Sequence, residues 1–180
     1  PEPRLQAVDL NQLAGEVLGL YESLGRAMEL RLAPDLPLVQ GDARLLRQVF
    51  HNLMQNAQDA LAEVSEPRIV VRSEEAGRGV RLSIEDNGCG IPEQSMQRVF
   101  EPYVTTKQKG TGLGLSIVKK IVEDHGGSVW IENLKPRGAR DSIELPRRAD
   151  AGSRAAAARA LPGRRDRALS HRRARRRRGR

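Results

Sequence analysis

Three short blocks of the sequence combine amide, carboxylate and glycine residues in an order that suits the binding of a nucleotide. They are residues 52–56 inside a helical pattern, residues 86–92 after a strand pattern, and residues 110–115 at the start of another helical pattern. Asn56 precedes Asp86 by 30 residues. Each block alone gives weak support, but their order and spacing together predict an ATP site.

The first block offers amide oxygens on one face of a helix. Asn52, Asn56 and Asp59 are spaced by four and three residues, which places them in one line along that face. Mg²⁺ prefers oxygen ligands and keeps several waters, so one amide oxygen beside a triphosphate would be sufficient protein ligation. The same residues also suit the solvated side of an amphipathic helix, so this block depends on the other two for its interpretation.

The second block places a carboxylate at the end of a strand. Asp86 enters a turn in which Gly88 and Gly90 permit close backbone approach or a positive φ. The carboxylate could accept a hydrogen bond from an exocyclic amine such as that of adenine, with Ile91 packed against the ring. An ordinary Asp-Asn-Gly turn is the alternative. Cys89 needs no catalytic role, and we expect it to be a small apolar filler.

The third block could bind phosphate through backbone amides. Gly110, Gly112 and Gly114 are two residues apart directly before a helix, so N–H groups can face an anion with the helix dipole behind them. No Gly-Lys-Ser/Thr sequence closes this loop, which excludes a Walker loop. A flexible hinge is the alternative. The remaining candidate residues here are Thr105, Thr106, Lys107, Thr111, Leu113 and Leu115.

Hydrophobic periodicity predicts the elements that must position these blocks. The expected helices are 9–26, 43–63, about 93–99 and 113–124, and the expected strands are 29–32, 38–39, 68–73, 80–85, 128–132 and 141–145. Helices and strands occur in separate runs, which predicts an α+β fold, a two-layer sandwich with a mixed, mostly antiparallel sheet packed on helices.

The charge of the chain is divided unevenly. Residues 147–180 contain 14 Arg against two Asp, whereas residues 1–146 contain 17 basic and 21 acidic side chains. A basic arm could bind nucleic acid or an anionic membrane through phosphate neutralisation. We prefer a disordered tail without a selected role, such as the product of a shifted reading frame, and expect no specific nucleic-acid partner.

Two further features of the sequence limit the cellular location that we expect for the protein. The single cysteine cannot form an internal disulfide, which indicates a reducing compartment. No stretch approaches the roughly 20 apolar residues that span a bilayer. We therefore expect a cytoplasmic location, within a parent protein that could be anchored in the inner membrane.

Taken together, the blocks resemble the ATP-binding catalytic domain of sensor histidine kinases, within the GHKL superfamily that includes gyrase, Hsp90 and MutL. The matching motifs are the N box at 52–57, the G1 box at 86–92, the F box at 99–103 and the G2 box at 110–115. Residues 105–107 and 121–127 are most similar to the nitrogen-regulatory NtrY type. The resemblance covers residues 8 to 146 and implies a Bergerat-type fold.

The resemblance also implies roles for individual residues. Asn56 would coordinate Mg²⁺, Asp86 would read adenine, and residues 91–111 would form a long ATP lid. The implied cofactors are ATP and Mg²⁺. In the hydrolysing relatives a Glu four residues before the metal Asn acts as general base. Asn52 stands there in this chain, and because an amide cannot take a proton from water, phosphoryl transfer to a partner is favoured.

The acceptor of the phosphoryl group is expected on another domain. None of the three histidines, His51, His125 and His171, is followed by an acidic residue as a phosphoacceptor His would be. We therefore expect a fragment, with 1–8 as the end of a linker, 9–146 as the catalytic domain and 147–180 as the tail.

This fragment is expected to bind ATP without autophosphorylating. The expected partners are the dimerisation and phosphoacceptor domain of the parent, a response regulator receiver domain, and a second copy of the parent in a homodimer. An anti-sigma-type Ser/Thr kinase of the same fold is the alternative enzyme.

Residues outside the blocks give three smaller expectations. We expect His51 at a helix surface or core edge and His125 beside a helix C-cap. Asp141 falls on the same strand face as Ile143 and Leu145, which predicts a poorly packed last strand.

Overall fold

The chain folds into seven strands and four helices in the computed structural model, which describes residues 2–104 and 110–148. The strands are β1 Gln6–Val8, β2 Met28–Leu32, β3 Val39–Gly41, β4 Ile69–Ala76, β5 Gly79–Asp86, β6 Ser128–Asn133 and β7 Ala139–Pro146. The helices are α1 Leu10–Leu18, α2 Ala43–Ala60, α3 Glu93–Met96 and α4 Gly114–Asp124, and a 3-10 segment, Gly19–Ala27, follows α1. His171 and the expected disorder of the tail lie outside the described residues.

The main sheet has five strands in the order β2-β4-β5-β7-β6. Strands β2 and β4 are parallel and the other neighbours are antiparallel, so the predicted mixed, mostly antiparallel sheet is confirmed. Asp86 is the last residue of the central strand β5, opposite Ile69 of β4 and Ala139 of β7. The central position of β5 therefore sets Asp86 between two neighbouring backbones.

The core lies between this sheet and the helices. Helix α2 contacts α1, α4 and β5, and α4 contacts β6 and β7. The buried stripe of α2 consists of Leu46, Val49, Phe50, Leu53, Met54 and Ala57. Burying a Leu or Phe side chain stabilises the fold by about 1.5–3 kcal/mol relative to exposure. This stripe therefore determines which face of α2 remains available for ligand binding. The predicted α+β sandwich is confirmed. No helix among the described residues is long and apolar enough to cross a membrane.

The prediction of one helix over 9–26 is wrong beyond Leu18. The chain continues as a 3-10 segment in which Tyr21 and Gly25 have non-helical backbone angles. Leu20, which lies in this segment, is 71% exposed. Gly19 is the C-cap of α1, and glycine is a poor helix former. The α-helix therefore ends here, although the apolar spacing of the sequence continues. The other predicted elements are present with ends shifted by three residues or fewer.

Both ends of the described chain pack against β3, in a way that the sequence did not indicate. Strand β1 lies in residues 1–8, which were expected to be linker, and pairs antiparallel with β3. The Arg4 N–H donates to the Asp42 carboxylate at 3.0 Å. At the other end Arg147 bridges to Val39, and the Arg148 N–H donates to the Leu38 carbonyl. The pairing around β3 therefore includes residues expected in the linker and in the tail.

The last strand is well packed, so the expectation for Asp141 is wrong. Strand β7 is the last strand in the described part of the chain but lies inside the sheet, between β5 and β6. Asp141 is buried, opposite Ile84 and Ile131, and the side chains of Ile143 and Leu145 are fully buried. Long-range strand order, which a local pattern does not contain, determines this packing.

His125 joins the ends of two helices. It is the C-cap of α4 and is buried, and its Nδ1 lies 2.7 Å from the Ile121 carbonyl oxygen. Its Nε2 accepts from the backbone N–H of Asp42 at 3.0 Å. Asp42 is the N-cap of α2, and its carboxylate accepts from the N–H groups of Arg44 and Leu45. These partners require the tautomer with the proton on Nδ1.

Substitution of His125 by Ala is expected to lower the free energy of unfolding by about 1–3 kcal/mol, because the Asp42 N–H loses its acceptor in a buried site. Urea unfolding followed by circular dichroism measures this loss. The control is His51→Ala, since His51 is half-buried and its Nδ1 lies 3.3 Å from the Tyr21 hydroxyl. Equal losses for the two variants would contradict a special role of His125.

Candidate functional site

Helix α2 presents its amides at the margin of the core. Asn52 and Asn56 are half-buried and Asp59 is exposed, because the apolar stripe beside them is turned toward the sheet. The Asn52 Nδ2 donates to the carbonyl oxygen of Gly114 at 3.3 Å. Asp59 accepts from the Gln55 amide at 2.7 Å. The first block therefore lies directly beside the start of α4, which belongs to the third block.

Asp86 is a buried carboxylate held by backbone amides. The residue is 7% exposed, and its Oδ1 accepts from the Gly88 N–H at 2.8 Å. Burial raises the pKa of the Asp86 carboxyl above its usual value, while the N–H groups of Gly88 and Ala139 act in the opposite direction. A buried carboxylate held in this way is a strong acceptor for an amine brought to it.

The loop after Asp86 is anchored on two sides. The Asn87 Oδ1 accepts from the Arg68 N–H at 2.8 Å, and its Nδ2 donates to the Glu66 carbonyl at 2.8 Å. Gly88 lies against the end of α2, where a Cβ would overlap the Ala60 carbonyl. Close backbone approach is thus the reason for this glycine, as the sequence indicated. The second block is thereby fixed against α2.

The loop continues toward α3 with two more candidate residues. Gly90 has a φ of +72°, the positive value that the sequence allowed, and Ile91 is half-buried. Cys89 is exposed, so the prediction of a small apolar filler is wrong. It stands in a turn whose direction is set by the glycines on either side.

The third block contacts Tyr103, in the segment 99–103 that was expected to be the F box. Gly112 has a φ of +68°, and its carbonyl accepts from the Tyr103 N–H at 2.9 Å. A Cβ on Gly112 would be 2.6 Å from the carbonyl carbon of Tyr103. Gly110 and Thr111 are exposed, and the Thr111 hydroxyl oxygen accepts from the Leu113 N–H at 3.4 Å. Tyr103, inside the expected lid, and Gly112, just after it, therefore meet at one backbone contact.

Helix α4 begins at this contact. Leu113 is its N-cap, and no side chain from the described part of the chain caps its first turn. Leu115 is half-buried against the core, which fixes the direction of the helix. Uncapped amides at the start of a helix are suited to an anionic group such as phosphate.

Helix α2 contacts both the second and the third block. Asn52 joins the first block to the third, and the contact of Gly88 with Ala60 joins the second to α2. Among residues 2–104 and 110–148, no group of three or more His, Cys, Asp and Glu side chains could hold a metal ion. A Mg²⁺ site here would fit one amide oxygen together with phosphate and water oxygens. Thr105, Thr106 and Lys107 lie outside the described residues.

The structure also brings to the site a segment that the sequence reasoning missed. The turn between β6 and β7, residues 134–138, lies against the Asp86 loop, and Arg137 donates to the Gly88 carbonyl at 3.2 Å. The pairing of Asp86 with Ala139 in the sheet creates this contact. No local signal could have indicated it, because it depends on the order of β5 and β7.

Comparison with known proteins gives the class of this site. Residues 41–149 match the family of histidine kinase-, DNA gyrase B- and HSP90-like ATPases. The sensor histidine kinase ZraS of Escherichia coli O157:H7 is 42% identical over 146 residues, covering 79% of this chain and 31% of ZraS. The nitrogen regulation protein NtrY of Azorhizobium caulinodans is 35% identical over 158 residues, covering 83% of this chain and 20% of NtrY.

A solved structure extends the comparison. The catalytic domain of histidine kinase ThkA superposes with a TM-score of 0.70 at 38% identity, covering 80% of this chain and 96% of that domain. ThkA is also known in complex with the response regulator protein TrrA, where the TM-score is 0.70 at 32% identity, over 82% of this chain and 43% of ThkA.

The family match covers more than half of the chain, so the protein belongs to the histidine kinase-, DNA gyrase B- and HSP90-like ATPase family. Within that family it is a catalytic, ATP-binding domain of the two-component sensor histidine kinase type. The chain spans a third or less of the length of these two curated relatives.

Proposed function

We propose that this domain binds ATP with Mg²⁺ and donates the γ-phosphoryl group to a His on a separate dimerisation and phosphoacceptor domain. The observation that carries the proposal is the buried Asp86 at the end of β5, in a loop that contacts the end of α2, together with the contact of Asn52 on α2 with the start of α4. A nucleotide with phosphates requires two features of its site: a hydrogen-bond acceptor for the base and a helix N-terminus that can bind anions.

Each block has its own role in this proposal. Asp86 accepts a hydrogen bond from the exocyclic amine of adenine, with Gly88, Gly90 and Ile91 shaping the loop around the base. Asn56 holds Mg²⁺, which when bound neutralises charge on the phosphates. The amides of residues 110–115 bind the phosphates, with Thr106 and Lys107 adding contacts from the lid.

Transfer to a partner, rather than to water, follows from Asn52. Its amide donates to the Gly114 carbonyl at 3.3 Å and so supports the start of α4. A side-chain amide is not a base for water, so general-base activation from this position is missing. Positioning and charge neutralisation supply most of the catalysis of phosphoryl transfer, which leaves the receiving group to the partner.

The parent protein supplies the rest of the system in this proposal. It carries the dimerisation and phosphoacceptor domain, forms a homodimer, works in the cytoplasm and passes the phosphoryl group to a response regulator receiver domain. The structure of ThkA with its response regulator supports the last step. A nitrogen-regulatory parent is part of the proposal because NtrY is among the relatives.

Calorimetric titration with ATP, with and without Mg²⁺, tests the binding step. We expect Mg²⁺-dependent binding, and its absence would overturn the proposal. Incubation of the domain with labelled ATP and the parent's phosphoacceptor domain tests the transfer step. The expected label is acid-labile and stable to alkali, as phosphohistidine is. An acid-stable label on Ser would assign the anti-sigma type of kinase instead.

Replacing Asn56 by Ala is expected to remove the Mg²⁺ dependence of ATP binding. The affinity for MgATP should fall by about tenfold or more, since ligand or outer-shell losses at metal sites typically have effects of this size. Calorimetry in Mg²⁺ and in EDTA measures the difference. Gln48→Ala is the matched control, because Gln48 is an exposed amide two turns earlier on α2. A variant that still binds more tightly with Mg²⁺ than without would exclude Asn56 as the metal ligand.

A further inference from the structure

Arg137 is a charged side chain that reaches the Asp86 loop from a distant part of the sequence. It lies in the turn between β6 and β7, 49 positions after Gly88, and its Nε donates to the Gly88 carbonyl at 3.2 Å. The contact is partly buried, although Arg137 as a whole is exposed. A hydrogen bond that is shielded from water is stronger than one at an open surface. The contact therefore restrains the loop from outside its own segment.

Gly88 links this contact to the Asp86 carboxylate. The Gly88 N–H donates to the Asp86 Oδ1 at 2.8 Å, while the Gly88 carbonyl accepts from Arg137. These two groups belong to the peptide planes before and after one Cα. Because glycine has no Cβ to limit rotation about its backbone bonds, contacts with other residues must hold both planes. Arg137 supplies such a contact for the second plane.

The turn that carries Arg137 is held in place by other contacts. The Leu134 N–H donates to the Gly138 carbonyl at 2.9 Å, and directly after the turn β7 pairs with β5. A Cβ on Gly138 would overlap the Asp86 carbonyl oxygen, so the two backbones are in close contact. Removal of the guanidinium should therefore release Gly88 while the turn keeps its position.

We propose that Arg137 is a positioning residue for base recognition. By holding Gly88, it keeps the Gly88 N–H on the Asp86 carboxylate and so directs that carboxylate toward the exocyclic amine of adenine. The inference rests on the proposed function, because it assigns a role within nucleotide binding. Its consequence is selectivity for a base that carries this amine. Hypoxanthine, the base of inosine, has a carbonyl oxygen in its place and gains nothing there from a well-directed carboxylate.

Two substitutions separate the hydrogen bond from the bulk of the side chain. In Arg137→Gln the new Nε2 is the same number of bonds from Cα as the Arg Nε, so the variant keeps an N–H donor without the charge. Arg137→Met has a chain of the same length that ends in a methyl group, so it cannot donate. The control is Arg147→Met, because the Arg147 Nη2 donates to the Gly77 carbonyl at 2.9 Å in the turn between β4 and β5.

Calorimetric titration with MgATP and with MgITP, the inosine analogue, measures the preference for adenine. For Arg137→Met we expect MgATP affinity to fall about threefold to tenfold, the size of effect of one lost hydrogen bond, and MgITP affinity to change less than about twofold. Arg137→Gln should bind MgATP within about twofold of the wild type, because the donor is retained. Arg147→Met should lose stability in urea and keep its affinity for both nucleotides.

A double-mutant cycle tests whether Arg137 acts through Asp86. In the Asp86→Asn background, Arg137→Met should cause no further loss of MgATP affinity, because the carboxylate that Arg137 helps to direct is already absent. Effects of independent sites add. A further loss as large as that in the wild-type background would therefore overturn the inference.

The outcomes separate the role of Arg137 from the proposed function. Absence of MgATP binding by the wild-type domain would overturn both. Wild-type binding with unchanged MgATP affinity in Arg137→Met, or with equal losses for MgATP and MgITP, would overturn the role of Arg137 alone. Equal weakening by Arg137→Gln and Arg137→Met would also overturn it, because the charge and not the hydrogen bond to Gly88 would then be responsible.

Discussion

Replacing Asp86 by Asn is expected to weaken MgATP binding by about 10- to 100-fold, the value of one hydrogen bond to a charged group. Asp86 is 7% exposed, and its carboxylate accepts a hydrogen bond from the Gly88 N–H. An Asn side chain can turn its NH₂ group toward the amine of adenine, and two donors then face each other. Calorimetric titration of both proteins with MgATP measures the loss.

The same substitution is expected to leave the nucleotide-free domain equally stable or more stable at neutral pH. Burial raises the pKa of Asp86 in the folded state, so the folded protein holds this proton more tightly than the unfolded chain does. Stability from this group is therefore present at low pH and is lost as pH rises from the unfolded pKa through the raised folded pKa. Thermal unfolding at pH 7 should give a midpoint for Asp86→Asn at or above that of the wild type.

The raised pKa of Asp86 also predicts how binding depends on pH. Protonation removes the charged acceptor, so the advantage of the wild type over Asp86→Asn should shrink as pH falls through the raised pKa. Comparison of the two proteins at each pH cancels the titration of the nucleotide phosphates. The affinity ratio is the measured quantity. A ratio that stays constant to acid pH would mean that the charge of Asp86 does not contribute.

The control for Asp86→Asn is Asp35→Asn. Asp35 is exposed in a turn before β3, and it has a φ of +53°. Asn accepts this backbone conformation readily, so the control removes one negative charge with little strain. We expect unchanged MgATP affinity in the control. Wild-type affinity in Asp86→Asn as well would refute the assignment of Asp86 to adenine.

Local patterns in the sequence contain most of the fold and the three blocks of the site. The apolar stripe of α2 has helical periodicity, so it identified both the helix and the face on which Asn52 and Asn56 lie. Alternation in β5 placed Asp86 at the end of a strand. Each of these features depends on neighbours a few residues away, which a single sequence displays directly.

Features that depend on strand order were not accessible in this way. The contact of Asn133 with Ile91 has no local signal, because it follows from the pairing of β5 with β7 and of β7 with β6. The inner position of β7, which buries Asp141, has the same origin. The prediction of one helix over 9–26 was wrong for the opposite reason. The apolar spacing continues through Leu20, whereas the α-helix ends at Leu18.

Replacing Gly112 by Ala is expected to weaken MgATP binding by about tenfold or more and to lower stability. Two effects combine at this position. A φ of +68° is unfavourable for a residue with a Cβ by about 1–2 kcal/mol. In addition, the new Cβ would lie 2.6 Å from the carbonyl carbon of Tyr103, so the two backbone segments that meet there must separate. Calorimetry with MgATP measures the loss of affinity, and urea unfolding measures the loss of stability.

The control variant Gly77→Ala separates the effect of backbone strain from the effect of steric overlap with Tyr103. Gly77 has a φ of +57°, and among the described residues nothing lies within 4 Å of a Cβ built there. The control therefore shares the backbone strain of Gly112→Ala and lacks the contact with Tyr103. We expect similar losses of stability from strain in both variants and a loss of MgATP affinity in Gly112→Ala alone. If both variants keep wild-type affinity, contact between Gly112 and Tyr103 is not needed to form the phosphate site, and the helix start of α4 must bind the phosphates without it.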